Sequence, residues 1–314
     1  SVPYALHAKT SENGIDRISM DGDTLYLTNG EEFVSTNSQS PNLLGLAIPT
    51  INISVLGGGS NSCRVSLSSV SNVNSSQIIE RGIIYSTTPS PKAFTSYNGV
   101  STEIGVSIFS LGDGVGLIDT IIGSFQSELL MPNTTYYARA FVYTENGLIS
   151  YSNEVSITTE QIGYIGPAGG VVFYDKGDTI GGWRYLEVAT FDQSAGVPWG
   201  CPGTYLGTGE QEDWDIGYGE INTAQIVAGC NESSYAAKIC SDLVLGGQDD
   251  WFLPSINELH LFHINNAVVA GDYIEIEGYW VSNEDNTDNF TARTGTGGTF
   301  QKTEQFKVRA IRAY

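Results

Sequence analysis

Basic residues are scarce in this sequence: 14 Lys and Arg stand against 35 Asp and Glu in 314 residues, a net charge of −21. Because only 16% of the residues are charged, the acidity comes from missing bases and not from crowded acids. A chain so poor in clustered Lys and Arg is excluded as a nucleic-acid ligand, since phosphate binding needs them. It is excluded as a ligand of anionic membrane surfaces for the same reason. No apolar run reaches the length of a membrane-spanning helix, so membrane insertion is not expected. Catalytic signatures are missing too. There is no His-Glu-x-x-His, no Gly-x-Ser-x-Gly and no Gly-rich loop leading into Lys-Ser/Thr. Histidine occurs three times, as His7, His260 and His263. With no Cys-x-x-Cys and no paired His spacing, a zinc site is not indicated. Ser1 stands where an initiator methionine would, and no signal peptide is visible. The chain therefore reads as a processed product or a fragment.

What is present points to β-structure and an extracellular setting. Gly (37) and Tyr (17) are abundant, and hydrophobic residues make up 40%, enough for a sizeable core. Two or three domains are expected at this length. Residues 1–48 are polar, with alternating runs on either side of Asp21-Gly22-Asp23, a hairpin signal. An isolated hairpin is marginal in water, so this segment is expected to pack on a neighbour or on copies of itself. Residues 49–160 read as an all-β sandwich. Arg64-Val65-Ser66-Leu67-Ser68, Gly82-Ile83-Ile84-Tyr85-Ser86 and the run 136–143 are strand-length, and Gly- and Pro-rich turns separate them.

Residues 161–314 read as α+β. Helices are expected over 224–228 behind Asn222-Thr223, over 235–245 behind Ser233-Ser234, and over 256–262 behind Ser255. In the last of these, Glu258 occupies the capping-box position. The tail 306–314 alternates at period two, as a strand does.

Two stretches resemble known families. Leu130-Met131-Pro132-Asn133-Thr134-Thr135-Tyr136 is similar to the late-strand signature of fibronectin type III domains, and Arg81-Gly82-Ile83-Ile84-Tyr85-Ser86-Thr87-Thr88-Pro89 resembles a strand frequent in such domains of Bacteroidota surface proteins. That resemblance implies a spacer sandwich with Tyr136 as its corner tyrosine. Gly166-Pro167-Ala168-Gly169-Gly170, Trp199-Gly200-Cys201, Asp250-Trp251-Phe252-Leu253-Pro254-Ser255 and Val308-Arg309-Ala310-Ile311-Arg312-Ala313 occur in an order that resembles the C-terminal domain of the Legionella collagen-like adhesin. The resemblance implies a C-type-lectin-like or sulfatase-modifying-factor-like fold, a preference for homotrimers and a ligand-binding loop face. It points to Asn283, Glu284 and Asp285 as ligand residues; turn chemistry would explain the same three.

Of four cysteines, Cys201 and Cys230 are the expected disulfide, with Cys230–Cys240 as the alternative. Cys240 lies on an apolar helix face and Cys63 stands alone in the sandwich. Residues 210–220 hold five carboxylates and no base. They are either solvated or gathered around a cation, in which case Glu212, Asp213 and Asp215 would supply oxygens to Ca²⁺. Trp214 and Tyr218 in the same stretch suit stacking on sugar rings.

The reading is a multidomain chain in three segments: 1–48 a β segment for holding or oligomerising a stalk, 49–160 a fibronectin III-like sandwich, and 161–314 a C-type-lectin-like head. The function expected is a secreted or cell-surface bacterial adhesin that is not an enzyme and binds a glycan or surface protein. A filament subunit is the alternative, with a polysaccharide hydrolase behind it. By segment the net charges are −4, −4 and −13. The acidity is therefore mainly a property of the C-terminal segment.

Overall fold

The structure is a computed structural model that describes residues 17–21, 24–28, 33–37, 49–70, 77–96, 99–123, 128–145, 147, 149–269 and 278–314. The chain divides into two compact units, Ser1–Thr159 and Glu160–Tyr314.

The N-terminal unit is built of strands: β1 (Arg17–Asp21), β2 (Thr24–Thr28), β3 (Phe33–Asn37), β4 (Thr50–Gly58), β5 (Cys63–Val70), β6 (Ile78–Ser86), β7 (Ala93–Ser96), β8 (Gly99–Thr102), β9 (Ser107–Ser110), β10 (Gly116–Ile122), β11 (Thr135–Thr144), β12 (Ile149–Tyr151) and β13 (Val155–Thr158). One sheet runs β3-β2-β1-β12-β11-β6-β9, with β13 also on β11, and a second runs β10-β5-β4. Period-two patterning turns the sheets toward one core. On β5, Cys63, Val65 and Leu67 are buried, and they pack with Ile51, Ile53, Ile83, Ala138, Ala140 and Val142. Strand β11 is covered on both faces, since Phe141 packs on Ile84, Ala93, Ile149 and Tyr151.

The hairpin expected near residue 21 forms, with Ile18 opposite Leu27; its turn, residues 22 and 23, lies outside the described residues. Strand β1 pairs in parallel with β12, Ser19 opposite Ile149, so β1 to β3 extend the larger sheet. Tyr136 behaves as a corner tyrosine, its hydroxyl accepting the Met131 N–H at 2.9 Å.

The C-terminal unit comprises β14 (Val171–Asp175), β15 (Tyr185–Val188), β16 (Ser194–Val197), a 3₁₀ turn (Gln211–Trp214), α1 (Tyr218–Gly229), α2 (Ala236–Ser241), α3 (Ile256–Val269), β17 (Trp280–Glu284), β18 (Thr291–Thr294), β19 (Thr299–Gln301), β20 (Phe306–Val308) and β21 (Ile311–Ala313). Its sheets are short: β14-β15-β21, β16-β20 and β17-β18-β19. The core holds Trp199, Trp251, Trp280, Tyr235, Ile226 and Val308. Trp199 and Trp280 are tied crosswise, the indole N–H of Trp199 reaching Val281 O and that of Trp280 reaching Val197 O, both at 2.8 Å. A buried indole needs such a partner.

Three expectations change here. Helix α1 starts at Tyr218, so Asn222 and Thr223 lie inside it instead of capping it. Its first turn is held by a distant carboxylate, described below. Helix α2 has only six residues, starting after Tyr235. The tail is two strands and not one. Arg309 turns to Asp192 and to Ala189 O, and Ala310 N–H is taken by Gln193, so β20 pairs with β16 while β21 pairs with β15.

Candidate functional site

The loops of the C-terminal unit are long and glycine-rich, and three fully buried glutamates hold them. Glu187, on β15, accepts the N–H groups of Ala168 (3.1 Å) and Gly170 (2.7 Å). A side chain at Gly166 would collide with it, since a Cβ there would lie 2.5 Å from the Glu187 carboxyl carbon. The Gly166-Pro167-Ala168-Gly169-Gly170 motif is therefore a cradle for a carboxylate. Arg312 lies 3.7 Å from the same carboxylate.

Glu284, the last residue of β17, accepts from Leu206 N–H (2.7 Å) and Thr208 N–H (3.2 Å). Lys302 completes the site. Its ammonium donates to Glu284 at 2.5 Å and to Thr204 O at 2.7 Å, and it lies over the Trp199 ring. Both side chains are 0% exposed. A buried pair like this persists only when its remaining donors and acceptors are filled, as they are here.

Glu258 sits at the third position of α3. It forms the expected capping box, accepting Ser255 N–H at 2.7 Å while Ser255 Oγ accepts the Glu258 N–H at 3.3 Å. The same carboxylate reaches across the unit and accepts Gly217 N–H at 2.8 Å, at the start of α1. Gly219 must be glycine, because a Cβ there would lie 2.2 Å from Glu258 Oε2. Among the described residues no cation pairs with Glu258. Burial pushes its carboxyl up to about 7, against the backbone N–H bonds from Ser255, Gly217 and Gly219, which favour the charged form.

These anchors fix a polar surface formed by the 3₁₀ turn, the start of α1 and the segment after β17. The carbonyl of Asp213 receives two side-chain amides, Asn222 Nδ2 at 2.8 Å and Asn283 Nδ2 at 2.9 Å. This clamps the turn that carries Trp214. Arg293, from β18, lies over the Trp214 ring at 4.7 Å, and its guanidinium is 4.0 Å from Asp285. Trp214, Arg293 and Asp285 thus form one group. Asp285 also accepts Thr287 N–H at 3.0 Å, and this bond foremost holds its carboxyl below the usual carboxylate range. Trp183 packs its ring 3.2 Å from where a Gly217 Cβ would be, placing a second indole beside the start of α1, with Lys176 over it at 4.1 Å. Tyr218 is half-buried at the first position of α1.

Asn283 and Glu284 do not face solvent as the sequence reading expects; both are 0% exposed. Strand β17 is buried along its whole length. Asn283 accepts the Ile256 N–H at 2.9 Å and clamps Asp213, so it positions the surface without lining it. Glu212, Asp213 and Asp215, the expected Ca²⁺ ligands, stand apart. The Asp213 carboxylate turns back to Glu210 N–H, that of Asp215 accepts from Asn257, and Glu212 is exposed. Among the described residues no group of three or more His, Cys, Asp or Glu side chains is placed to hold a metal ion. Trp183 and Arg293 were not singled out by sequence reasoning. The signal for Trp183 was its Gly181-Gly182 neighbour pair; Arg293 carried none.

Cys201 and Cys230 form the disulfide, with a sequence separation of 29, at the C-terminal end of α1; Cys63 and Cys240 are free and buried. No helix among the described residues is long and apolar enough to cross a membrane.

No family model matches the chain, and no curated protein matches it. Among solved structures it is similar in part to one described as a myokine structure, at 15% identity over 37% of this chain and 100% of that chain, with a TM-score of 0.24. It is similar to the fibronectin type-III domain of human fibronectin type III domain containing protein 3, at 18% identity over 40% of this chain and 93% of that chain, TM-score 0.24. It is similar also to a pectate lyase from Pectobacterium carotovorum, at 12% identity over 34% of this chain and 26% of that chain, TM-score 0.20.

Proposed function

We propose that this chain is a secreted or cell-surface bacterial binding protein. In this reading the N-terminal unit is a fibronectin III-like spacer, and the C-terminal unit is a C-type-lectin-like head that meets a glycan or another surface ligand. One observation carries the reading: Trp214 on the 3₁₀ turn, Tyr218 at the start of α1, Asp285 after β17 and Arg293 on β18 share one surface with Trp183, and buried carboxylates and an Asn clamp hold it. Recognition groups sit on loops that a rigid scaffold positions. The disulfide supports an oxidising compartment. Low affinity per head, multiplied in a homo-oligomer with a trimer preferred, gives useful attachment.

The test is a glycan array probed with the full chain in Ca²⁺ and again in EDTA. Trp214→Ala and Asp285→Asn, confirmed folded by their melting profiles, are expected to lower binding at least about tenfold, the loss of one good polar or stacking contact. Unchanged binding in both variants sinks this site. A signal lost in EDTA and restored by Ca²⁺ shows that binding needs the metal, and its survival or loss in Glu212→Gln and Asp215→Asn tells whether the acids of residues 210–220 hold it.

One feature favours a filament subunit as the second reading. On β10, a strand at the edge of its sheet, Leu117 is 72% exposed and Ile121 48%, and open edges template pairing. Polymers in native material support it; monodisperse particles contradict it.

A further inference from the structure

The smaller sheet of the N-terminal unit, β10-β5-β4, is open at both edges. Arg81 donates to Gly116 O and the Cys63 thiol to Gly57 O. Over residues 117–122 of β10 and 50–56 of β4, the backbone bonds among the described residues are those to β5 alone. Proteins usually blunt such edges with lysine, proline or short strands. These two strands have seven and nine residues and carry neither lysine nor proline. Strand β4 has no charged residue at all, and Asp119 is the one charge of β10. By contrast β9, an edge of the larger sheet, has only four residues.

The rows across the sheet show which edge suits which. Leu117 lies opposite Ser68 and Ser68 opposite Asn52; Asp119, Ser66 and Ser54 form the next row. Both β4 and β10 run antiparallel to β5, so they are parallel to each other. Continuing the sheet into a second copy therefore sets β4 of that copy parallel to β10, with Asn52 beside Leu117 and Ser54 beside Asp119. Ile121 then comes level with Val55 and Leu56, which are exposed as it is. Two β10 strands pair less well. Their full-length antiparallel register centres on Asp119 and sets it against its own copy, like charge on like. Two β4 strands would leave Leu117 and Ile121 in water. We propose that this chain self-associates by sheet continuation, β10 of one copy pairing with β4 of the next. The joint is heterologous, so it grows into a filament unless the rotation closes a ring. It rests on the filament reading above and names what makes the contact.

The test is oxidative cross-linking of the full chain, with sedimentation beside it. A chain carrying Leu117→Cys is mixed with one carrying Asn52→Cys, positions that sheet continuation sets about 5 Å apart, within disulfide reach. The mixture should give a two-chain product at least about tenfold above either variant alone. Both positions are exposed, so the variants fold, and melting curves check this. The native chain is the blank for Cys63 and Cys240, which are buried. A chain carrying Leu117→Cys and Ile121→Cys together links to its own copy only where β10 meets β10, and that product overturns the proposal. Self-linking of Ser54→Cys, which needs β4 on β4, overturns it too. Leu117→Lys should weaken association at least about tenfold, since lysine on an edge opposes strand addition. A species of one-chain mass at every concentration up to about 1 mM overturns the proposal. Closed rings that carry the Leu117–Asn52 link uphold the joint and end the filament reading. Polymers without that link do the reverse.

Discussion

Lys302→Met lowers the unfolding free energy of the C-terminal unit by about 3–5 kcal/mol, among the largest effects expected of any single substitution in the chain. The methionine fills nearly the same volume, so the loss is not one of packing. It leaves Glu284 fully buried with its cation gone, and it leaves Thr204 O without the donor it has now. Adding Glu284→Gln to Lys302→Met should recover part of the loss, because a neutral amide does not need the ammonium and its oxygen still serves one loop N–H. Denaturant unfolding of the two single variants and the double variant closes a cycle whose coupling term measures the pair. If Lys302→Met costs less than about 1 kcal/mol, the pair is not closed to water as described.

The second large effect belongs to Glu258 and depends on pH. Its carboxyl is raised from 4.5 to about 7 by burial. Below pH 4.5 both the folded and unfolded chains hold the proton. Between 4.5 and 7 the folded chain keeps a proton that the unfolded chain has released, so stability from this group falls as pH rises through that window. The drop is at most about 3 kcal/mol, since a tenfold difference in proton affinity between the folded and unfolded chains is worth ~1.4 kcal/mol. Glu258→Gln should flatten that part of the stability–pH profile. It should also cost about 1–3 kcal/mol at low pH, because its NH₂ faces backbone donors where an oxygen accepted them. A wild-type and variant profile running parallel from pH 4.5 to 7 would show that Glu258 does not titrate there.

The sequence made some of this visible and hid the rest for a physical reason. Local signals carried: the alternation of Cys63, Val65 and Leu67, the Ser255–Glu258 capping box, and the Cys201–Cys230 pair are all present. The role of the acids was hidden. Glu187, Glu258 and Glu284 meet loop N–H groups that lie 19, 41 and 78 residues away. Nothing near any of them in sequence announces burial. Ser282-Asn283-Glu284 is composed like a turn but forms a strand, because Asn222 and Ser282 bond each other at 3.0 Å and Lys302 neutralises Glu284. The dense acids of residues 210–220 fitted either a solvated loop or a cation site, and their side chains turn to separate partners, Asp213 to Glu210 N–H and Asp215 to Asn257. Behind the net charge of −13, the described acids divide into those that reach the surface and a buried set, Asp175, Glu187, Glu258 and Glu284, that fastens the unit from inside.

Buried glutamates hold the loops that form the surface. Native-state hydrogen exchange on Glu284→Gln against wild type reads out that hold. Slowed exchange at Leu206 and Thr208 N–H in the wild type, lost in the variant while α3 keeps its protection, is the expected result. Equal protection of those two amides in both proteins would contradict it.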